Sequence, residues 1–292
     1  MNLFGRPLLL RERACTCNGI VGKALDSYVN LFVKVTNSCN ARCSFCSNAA
    51  NRCENIRFDI DKLFRIVDEL MASEVRINRV CITGGEPAMV PQVVLPILER
   101  LNRPEYDWIH AHLNTNGLLP DSRKLMQHPR WNSVSVSLHH YSSEKLSRIY
   151  GVPIAADMLD FDNVELSRVN ISCNLMRRFI DSPLEAQRMM DFALRLGVPR
   201  LGFVSLMQIN HWCRENYVDF SEIDWLDIPR LYITSCRNYS DDCKCSNYLY
   251  NANGKVLEVY MRNYRNPNFV QSGLVYDGRN LYQGFGKENV IC

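Results

Sequence analysis

The chain has 292 residues, of which 47% are hydrophobic and 22% charged, the ordinary balance of a globular protein that can bury a sizeable core. Its formal net charge is only +3, and it contains no basic run of the kind that binds polyanions, so we expect no nucleic-acid partner. No apolar run approaches the length of a membrane span, and Leu8–Leu10 is too short for the core of a signal peptide, so we expect no membrane association.

The first strong element follows residues 1–27, which we expect to form an N-terminal extension. It is the apolar run Tyr28–Val35, which predicts a strand. Directly after it come Cys39, Cys43 and Cys46, three cysteines within eight residues. Three thiolates on one tight loop can bind three irons of a cubane cluster and leave the fourth iron without a protein ligand. Such an open position is what a catalytic metal site keeps.

Two other kinds of site also use closely spaced cysteines: a zinc knuckle and an ordinary electron-transfer cluster. Both normally need a fourth ligand nearby, and Cys53, seven residues after Cys46, is the nearest candidate. The chain has 13 cysteines and no recognisable export signal. This combination favours metal or redox chemistry in a reducing cytoplasm over a disulfide framework.

From about residue 28 to residue 207 the chain alternates strand and helix patterns, which predicts a parallel sheet with crossover helices. Helices are predicted over residues 58–71 and 182–196, the second ending at Gly197. Further strands are predicted near residues 78–83, 109–113, 133–138, 169–175 and 201–207. With the first strand they make six, so we expect an α/β fold with a partial (β/α)6 barrel. Ligand sites in such folds lie at the carboxyl ends of the strands.

Three of these strands end in motifs that can bind a ligand. The strand near residue 80 runs into Gly84-Gly85-Glu86-Pro87, and the next runs into Asn114-Thr115-Asn116-Gly117. The third ends at Ser137 and is followed by His139 and His140. Two glycines allow the backbone to approach a ligand closely, and a carboxylate or carbonyl can accept hydrogen bonds from an ammonium group.

These motifs together resemble the radical S-adenosylmethionine (radical SAM) superfamily. The resemblance rests on the spacing Cys39-x3-Cys43-x2-Cys46, on Phe45 before the last cysteine, and on the order of the strand-end motifs. It implies a 4Fe–4S cluster whose free iron chelates the amino and carboxylate groups of S-adenosylmethionine. It further implies reductive cleavage to methionine and a 5′-deoxyadenosyl radical that abstracts a substrate hydrogen, with a reductant such as flavodoxin or ferredoxin.

The resemblance also assigns residues to the cofactor. The implied cofactor-binding residues are Gly84, Gly85, Glu86, Asn114, Asn116, Ser137, Asn174 and Arg177. Glu86 and its glycines would bind the amino group, and we expect a change at Glu86 to weaken cofactor binding more than folding. Arg177 could hold the carboxylate, with a surface salt bridge as the alternative.

His139 and His140 depart from the Ser-Leu-Asp-Gly sequence that many relatives carry at this point. Two interpretations remain open. One histidine could be catalytic, contacting the substrate or transferring a proton. Alternatively, both could serve hydrogen-bonded packing at the strand end.

After residue 207 the helical rhythm is lost, and we expect residues 208–292 to form a small α+β extension to the 28–207 core. Residues 246–251 and 255–260 flank Ala252-Asn253-Gly254, which predicts a hairpin. Residues 274–282 predict a second hairpin.

A second cysteine group, Cys236, Cys243 and Cys245, precedes the first hairpin. The last two would place their sulfurs on one face of an extended segment. The region resembles the twitch/SPASM-like extension of molybdenum-cofactor cyclases, which holds an auxiliary 4Fe–4S cluster. The match is imperfect, because those relatives have a further cysteine after the hairpin. In this chain Cys236 would have to replace that ligand. On the resemblance we expect a second cluster, with a zinc site or free thiols as alternatives.

The sequence thus predicts a radical SAM enzyme. The cyclase-like tail points to a small polar metabolite, such as a nucleoside, nucleotide or sugar, as the substrate. The alternative is a maturase that modifies a ribosomally made peptide, although no separate leader-peptide domain is expected. A non-enzymatic iron–sulfur electron carrier would leave the glycine-rich and Asn-Thr-Asn-Gly motifs without a purpose.

Overall fold

The computed structural model describes residues 2–8, 28–51, 57–73, 76–155, 161, 163–235, 246–262, 273–284 and 289–292. The predicted auxiliary ligands Cys236, Cys243 and Cys245 lie outside the described residues, as does Cys53. Near the N-terminus, β1 (Asn2–Leu3) and β2 (Arg6–Pro7) pair antiparallel in a small sheet of their own.

The centre of the molecule is a run of six parallel strands that pair in chain order. They are β3 (Tyr28–Lys34), β4 (Arg76–Thr83), β5 (His110–Thr115), β6 (Ser133–Ser137), β7 (Val169–Asn174) and β8 (Arg200–Val204). Each lies within a few residues of a predicted strand, so the six-strand prediction is confirmed.

Helices connect these strands. They are α1 (Ile60–Ala72), α2 (Pro91–Leu101), α3 (Pro120–Met126), α4 (Ser143–Tyr150) and α5 (Pro183–Leu196), and a further helix, α6 (His211–Glu215), follows β8. Both predicted helices, α1 and α5, form for local reasons. The Asp59 side chain caps α1 by accepting from Lys62 N–H, and the Ser182 side chain caps α5 in the same way. Gly197 ends α5 in the left-handed region, at a φ of 79°.

The C-terminal strands extend the same sheet at both sides. They are β9 (Leu231–Ser235), β10 (Ser246–Ala252), β11 (Lys255–Arg262), β12 (Gly273–Tyr276) and β13 (Leu281–Gln283). Strand β11 pairs parallel with β8, and β12 pairs parallel with β3. Both predicted hairpins are confirmed, since β10 pairs antiparallel with β11 and β12 with β13.

The result is an eleven-stranded sheet in the order β13-β12-β3-β4-β5-β6-β7-β8-β11-β10-β9. The predicted α/β fold with a partial barrel is confirmed, and within the described residues the sheet is not closed. The division of the chain at residues 27 and 207 stays a prediction. None of the described helices is long and apolar enough to cross a membrane.

Alternation along the strands gives the sheet two chemically different faces. In β5, Ala111 and Leu113 are fully buried in the hydrophobic core, whereas His110, His112 and Asn114 lie on the opposite face. We call this second side the inner face. It carries the residues that lead up to the candidate site at the carboxyl ends of the strands.

Candidate functional site

A cavity of about 310 Å³ opens at the carboxyl ends of β3 to β8, within the usual size range of ligand pockets. Most of the predicted site residues line this one cavity. They are Cys39, Cys43, Cys46, Gly84, Gly85, Glu86, Asn114, Asn116, Ser137, His139 and Asn174. The structure therefore brings together motifs that are up to 135 residues apart in the chain, from Cys39 to Asn174.

The cysteine loop is held by asparagine side chains. Asn51 Oδ1 accepts from Cys39 N–H at 2.8 Å, while Asn51 Nδ2 donates to the carbonyls of Cys39 and Ala41 at 2.6 and 2.9 Å. Asn116 Nδ2 donates to Asn40 Oδ1 at 2.7 Å and lies 3.8 Å from Cys39 Sγ. The loop is thus fixed both at its own base and to the end of β5.

The two glycines after β4 bring their loop against the cysteine loop. Gly85 N–H donates to the Thr36 carbonyl at 2.6 Å, and Glu86 N–H donates to the Ser38 carbonyl at 2.8 Å. A Cβ atom at Gly85 would lie 1.9 Å from the Ser38 carbonyl oxygen, and Gly84 adopts a φ of 143°. The close backbone approach that these glycines permit is therefore an approach to the segment that carries the cysteines.

Glu86 is a buried cross-link between β4 and β5, with only 1% of its surface exposed. Its carboxylate accepts from Asn116 N–H at 2.8 Å, the Thr115 hydroxyl at 2.7 Å and Ala88 N–H at 3.2 Å. Burial raises the pKa of this carboxyl group, while the hydrogen bonds from Asn116 and Thr115 oppose the rise. Glu86 thus holds the ends of β4 and β5 together, and the expectation that its replacement weakens cofactor binding more than folding stays a prediction.

The three thiols of the loop form a donor set that an iron–sulfur cluster can use. Each thiolate of a cubane cluster binds a different iron. Cys39, Cys43 and Cys46 line the same cavity, so the donor set fits a 4Fe–4S cluster. Burial raises the pKa of Cys39, and bound iron would favour its thiolate.

His139 forms part of the cavity wall as a neutral ring. It packs edge-on against Phe45 at 4.9 Å between ring centres and also contacts Tyr150. Burial lowers the pKa of His139 to about 3, so the ring is uncharged near neutral pH. Its Nδ1 accepts from Asn174 N–H at 3.1 Å, which places the ring proton on Nε2. His139 can therefore donate a hydrogen bond, but it is a poor base at neutral pH.

Two predicted site residues, His140 and Arg177, do not line the cavity. The His140 side chain is fully buried, and its Nε2 lies 3.4 Å from the carboxylate of Glu185 on α5. Arg177 pairs with Glu222 at 2.7 Å, with half of its own side chain exposed. The structure gives Arg177 the surface salt bridge that the sequence left as its alternative.

Several residues that shape the site were not predicted from the sequence. Asn48 donates to the Gly84 carbonyl at 2.6 Å, and Tyr150 donates to the Ser137 carbonyl. Neither residue belongs to a strand-end motif. The only signal in the sequence is the number of asparagines close to the cysteines, which could have suggested Asn48 but not Tyr150. His110 and His112 were also missed, although they alternate with apolar residues just before Asn114.

The family comparison agrees with this arrangement of cysteines, glycines and strand-end amides. Residues 33–160 match the family model described as the radical SAM superfamily. This part of the chain therefore matches a radical SAM domain. The superfamily implies a 4Fe–4S cluster and S-adenosylmethionine, and the predicted family resemblance is confirmed.

Two curated relatives are named as GTP 3′,8-cyclases. A probable GTP 3′,8-cyclase of Thermococcus kodakarensis is 32% identical over 178 residues, which cover 58% of this chain and 54% of that protein. A GTP 3′,8-cyclase of Clostridium acetobutylicum is 27% identical over 186 residues, covering 61% of this chain and 56% of that protein. The chain thus matches little more than half the length of these relatives.

Solved structures show the same fold. Streptococcus suis SuiB bound to the precursor peptide SuiA has a TM-score of 0.52 and 19% sequence identity, covering 65% of this chain and 42% of that one. SuiB bound to S-adenosylmethionine has the same TM-score and identity, covering 65% of this chain and 43% of that one. At this level of identity the likeness concerns the fold of the domain.

Proposed function

We propose that the protein is a radical SAM enzyme whose catalytic centre is the cavity at the carboxyl ends of β3 to β8. The observation that carries the proposal is the convergence of Cys39, Cys43 and Cys46 with the glycine-rich loop and the amides of β5 in this cavity. The three thiolates hold a 4Fe–4S cluster and leave one iron open for S-adenosylmethionine. When bound, cluster and cofactor supply one-electron chemistry that generates a hydrogen-abstracting radical.

The chain's own residues bind and orient the cofactor and exclude water from the cavity. Phe45, His139 and Tyr150 form an aromatic wall beside the cysteines. His139 Nε2–H and the side chains of Asn114 and Asn116 supply neutral donors and acceptors for the polar parts of the cofactor. Glu86 acts from behind this layer, because its oxygens already accept from the backbone and side chains at the end of β5.

We further propose a small polar metabolite, of the nucleotide class, as the substrate. The support comes from two relatives named GTP 3′,8-cyclase and from the polar inner face below the cavity. That face carries amide, imidazole and guanidinium groups, such as Asn30, His112 and Arg79, which suit a hydrogen-bonding and anionic molecule better than an apolar one. A cytoplasmic location and a flavodoxin- or ferredoxin-type reductant belong to the same proposal.

The test is a coupling assay with reconstituted, chemically reduced enzyme under anaerobic conditions. 5′-Deoxyadenosine formed from S-adenosylmethionine is measured alone, with GTP and other nucleotides, and with candidate peptides. We expect nucleotide addition to raise the yield and a nucleotide-derived product to appear. Stimulation by a peptide alone, with a change in the peptide's mass, would instead identify a peptide maturase.

A second 4Fe–4S cluster, bound by Cys236, Cys243 and Cys245, is part of the proposal. These cysteines lie outside the described residues, so the support is their spacing before the confirmed hairpin. One cluster contributes about four irons and two contribute about eight. We expect about four irons to remain when Cys39, Cys43 and Cys46 are all replaced by Ala, and to be lost when Cys243 and Cys245 are also replaced. An iron-free triple variant would rule out the second cluster.

A further inference from the structure

A hydrogen-bonded row of side chains runs along the inner face from the start of β5 to the cofactor cavity. Ser133 Oγ lies 2.6 Å from His110 Nε2 and 2.6 Å from His112 Nδ1. His112 Nε2 lies 3.2 Å from Asn114 Oδ1, and Asn114 Nδ2 lies 3.1 Å from Cys81 Sγ. We call His110, Ser133, His112 and Asn114 the inner-face row.

Each hydrogen bond of the row is donated in the same direction, from His110 towards Asn114. Asn114 Oδ1 can only accept, so His112 must donate to it from Nε2. His112 is almost completely buried and lies near the positive charge of Arg79, and its imidazole is neutral. A neutral ring that carries its proton on Nε2 accepts at Nδ1, so the Ser133 hydroxyl donates there and accepts in turn from His110.

The row determines which end of the Asn114 amide faces a ligand. The amide oxygen is bound by His112, and one of the two N–H groups is used by Cys81. The other N–H remains to meet a ligand in the cavity that Asn114 lines. A free carboxamide could turn over and present its oxygen as readily as its nitrogen, and that choice decides whether the ligand must accept or donate.

We propose that His112, held by Ser133 and His110, is a positioning residue that fixes the Asn114 amide as a hydrogen-bond donor to an acceptor oxygen of S-adenosylmethionine. The proposal rests on the proposed function, since it assumes that this cofactor occupies the cavity. It assigns a role to three side chains that touch no part of the cysteine loop. The acceptor is a hydroxyl or carboxylate oxygen of the cofactor.

The test measures the Kd for S-adenosylmethionine by equilibrium dialysis with reconstituted protein. His112→Phe removes both bonds of the ring at similar size, and we expect binding on the order of tenfold weaker. His112→Gln keeps one donor and one acceptor and should bind nearly as well as wild type. Ser133→Ala breaks the row with little effect on packing and should also weaken binding. Ser135→Ala, which removes a neighbouring buried hydroxyl on the same strand outside the row, is the matched control.

A double-mutant cycle separates positioning from a general structural effect. If His112 acts through Asn114, His112→Phe should cause no further loss of affinity in an Asn114→Ala background. Equal losses in both backgrounds would overturn the proposal, as would unchanged affinity in Ser133→Ala and His112→Phe. Wild-type protein that holds iron but does not bind S-adenosylmethionine would instead contradict the proposed function itself.

Discussion

At the scale of single residues, the candidate site shows which side chains a sequence can place and which it cannot. A residue that directly follows a parallel strand, such as Asn116 after β5, is placed at the cavity by topology alone. His139 and His140 are adjacent in the chain, yet only His139 lines the cavity, and the sequence alone does not show which of the two does so. Arg177 lies three residues beyond β7, and its partner Glu222 is too distant in sequence to be anticipated.

Glu86 provides the first prediction. Replacing Glu86 by Ala leaves the Asn116 and Ala88 N–H groups and the Thr115 hydroxyl without their buried acceptor. We expect the free energy of unfolding to fall by roughly 2–4 kcal/mol, since unsatisfied buried donors cost about 1–3 kcal/mol each and relaxation recovers part of that. Urea denaturation measures the change. Glu86→Gln, which keeps an acceptor oxygen, should lose less, and an unfolding midpoint unchanged in Glu86→Ala would contradict the cross-linking role.

At the scale of elements, the contact between the glycine-rich loop and the cysteine loop decides the geometry of the site. The sequence predicted both loops and their shared edge of the sheet, because β3 and β4 are neighbouring parallel strands. It did not predict that the glycines serve this contact, since a Gly-Gly pair looks the same whether its neighbour is a ligand or another loop. The close approach of Gly85 to the Ser38 carbonyl depends on the tertiary structure and cannot be read from the local sequence.

The second prediction tests that contact by adding one methyl group. In Gly85→Ala the new Cβ would meet the Ser38 carbonyl at 1.9 Å, so the cysteine loop must move. We expect iron content after reconstitution to fall well below the wild-type value, with a stability loss of about 1–3 kcal/mol from overpacking. Iron and protein assays on the same sample measure it.

Gly254→Ala is the matched control for the added methyl group. Gly254 lies in the β10–β11 turn at a φ of 72°, where a new Cβ would meet no atom within 4 Å. The substitution should cost about 1 kcal/mol of backbone strain and leave iron content unchanged. Full iron loading of Gly85→Ala would show that the two loops need not touch.

At the scale of the whole molecule, the central strands of the sheet could be predicted from the sequence, but the positions of the two added hairpins could not. The six central strands follow from the alternation of strand and helix patterns. The placement of β12 beside β3 and of β11 beside β8 does not, because two hairpins at the end of a chain can dock at either edge of a sheet or against neither. In the sequence, the polar inner face is visible only as an alternation of polar and apolar residues, as in the run from His110 to Asn114.

Burial of neutral imidazole on this inner face gives the third prediction. The pKa of His112 is lowered from 6.5 to about 3 by burial and by the charge of Arg79. Between these values the unfolded chain binds a proton that the folded chain excludes, so stability falls as the pH falls from about 6.5 towards 3. The loss from one such histidine reaches about 1.4 kcal/mol per pH unit.

Urea denaturation of iron-free protein at pH 7, 6 and 5 measures this effect against His112→Gln, which cannot titrate there. The wild-type protein should lose more stability than the variant over this range, and the difference between the two should grow towards pH 5. Parallel curves for the two proteins would show that His112 is not held neutral in the fold.

The central claim is that the loop of Cys39, Cys43 and Cys46 holds the cluster that cleaves S-adenosylmethionine. Its most direct test measures 5′-deoxyadenosine from reconstituted, dithionite-reduced protein in which each cysteine is replaced singly by Ala. Cys173→Ala is the control, because Cys173 is a buried core thiol that does not line the cavity. We predict that each loop variant loses the activity and that Cys173→Ala keeps it. Formation of 5′-deoxyadenosine at the wild-type rate in any one of the three loop variants would contradict the claim.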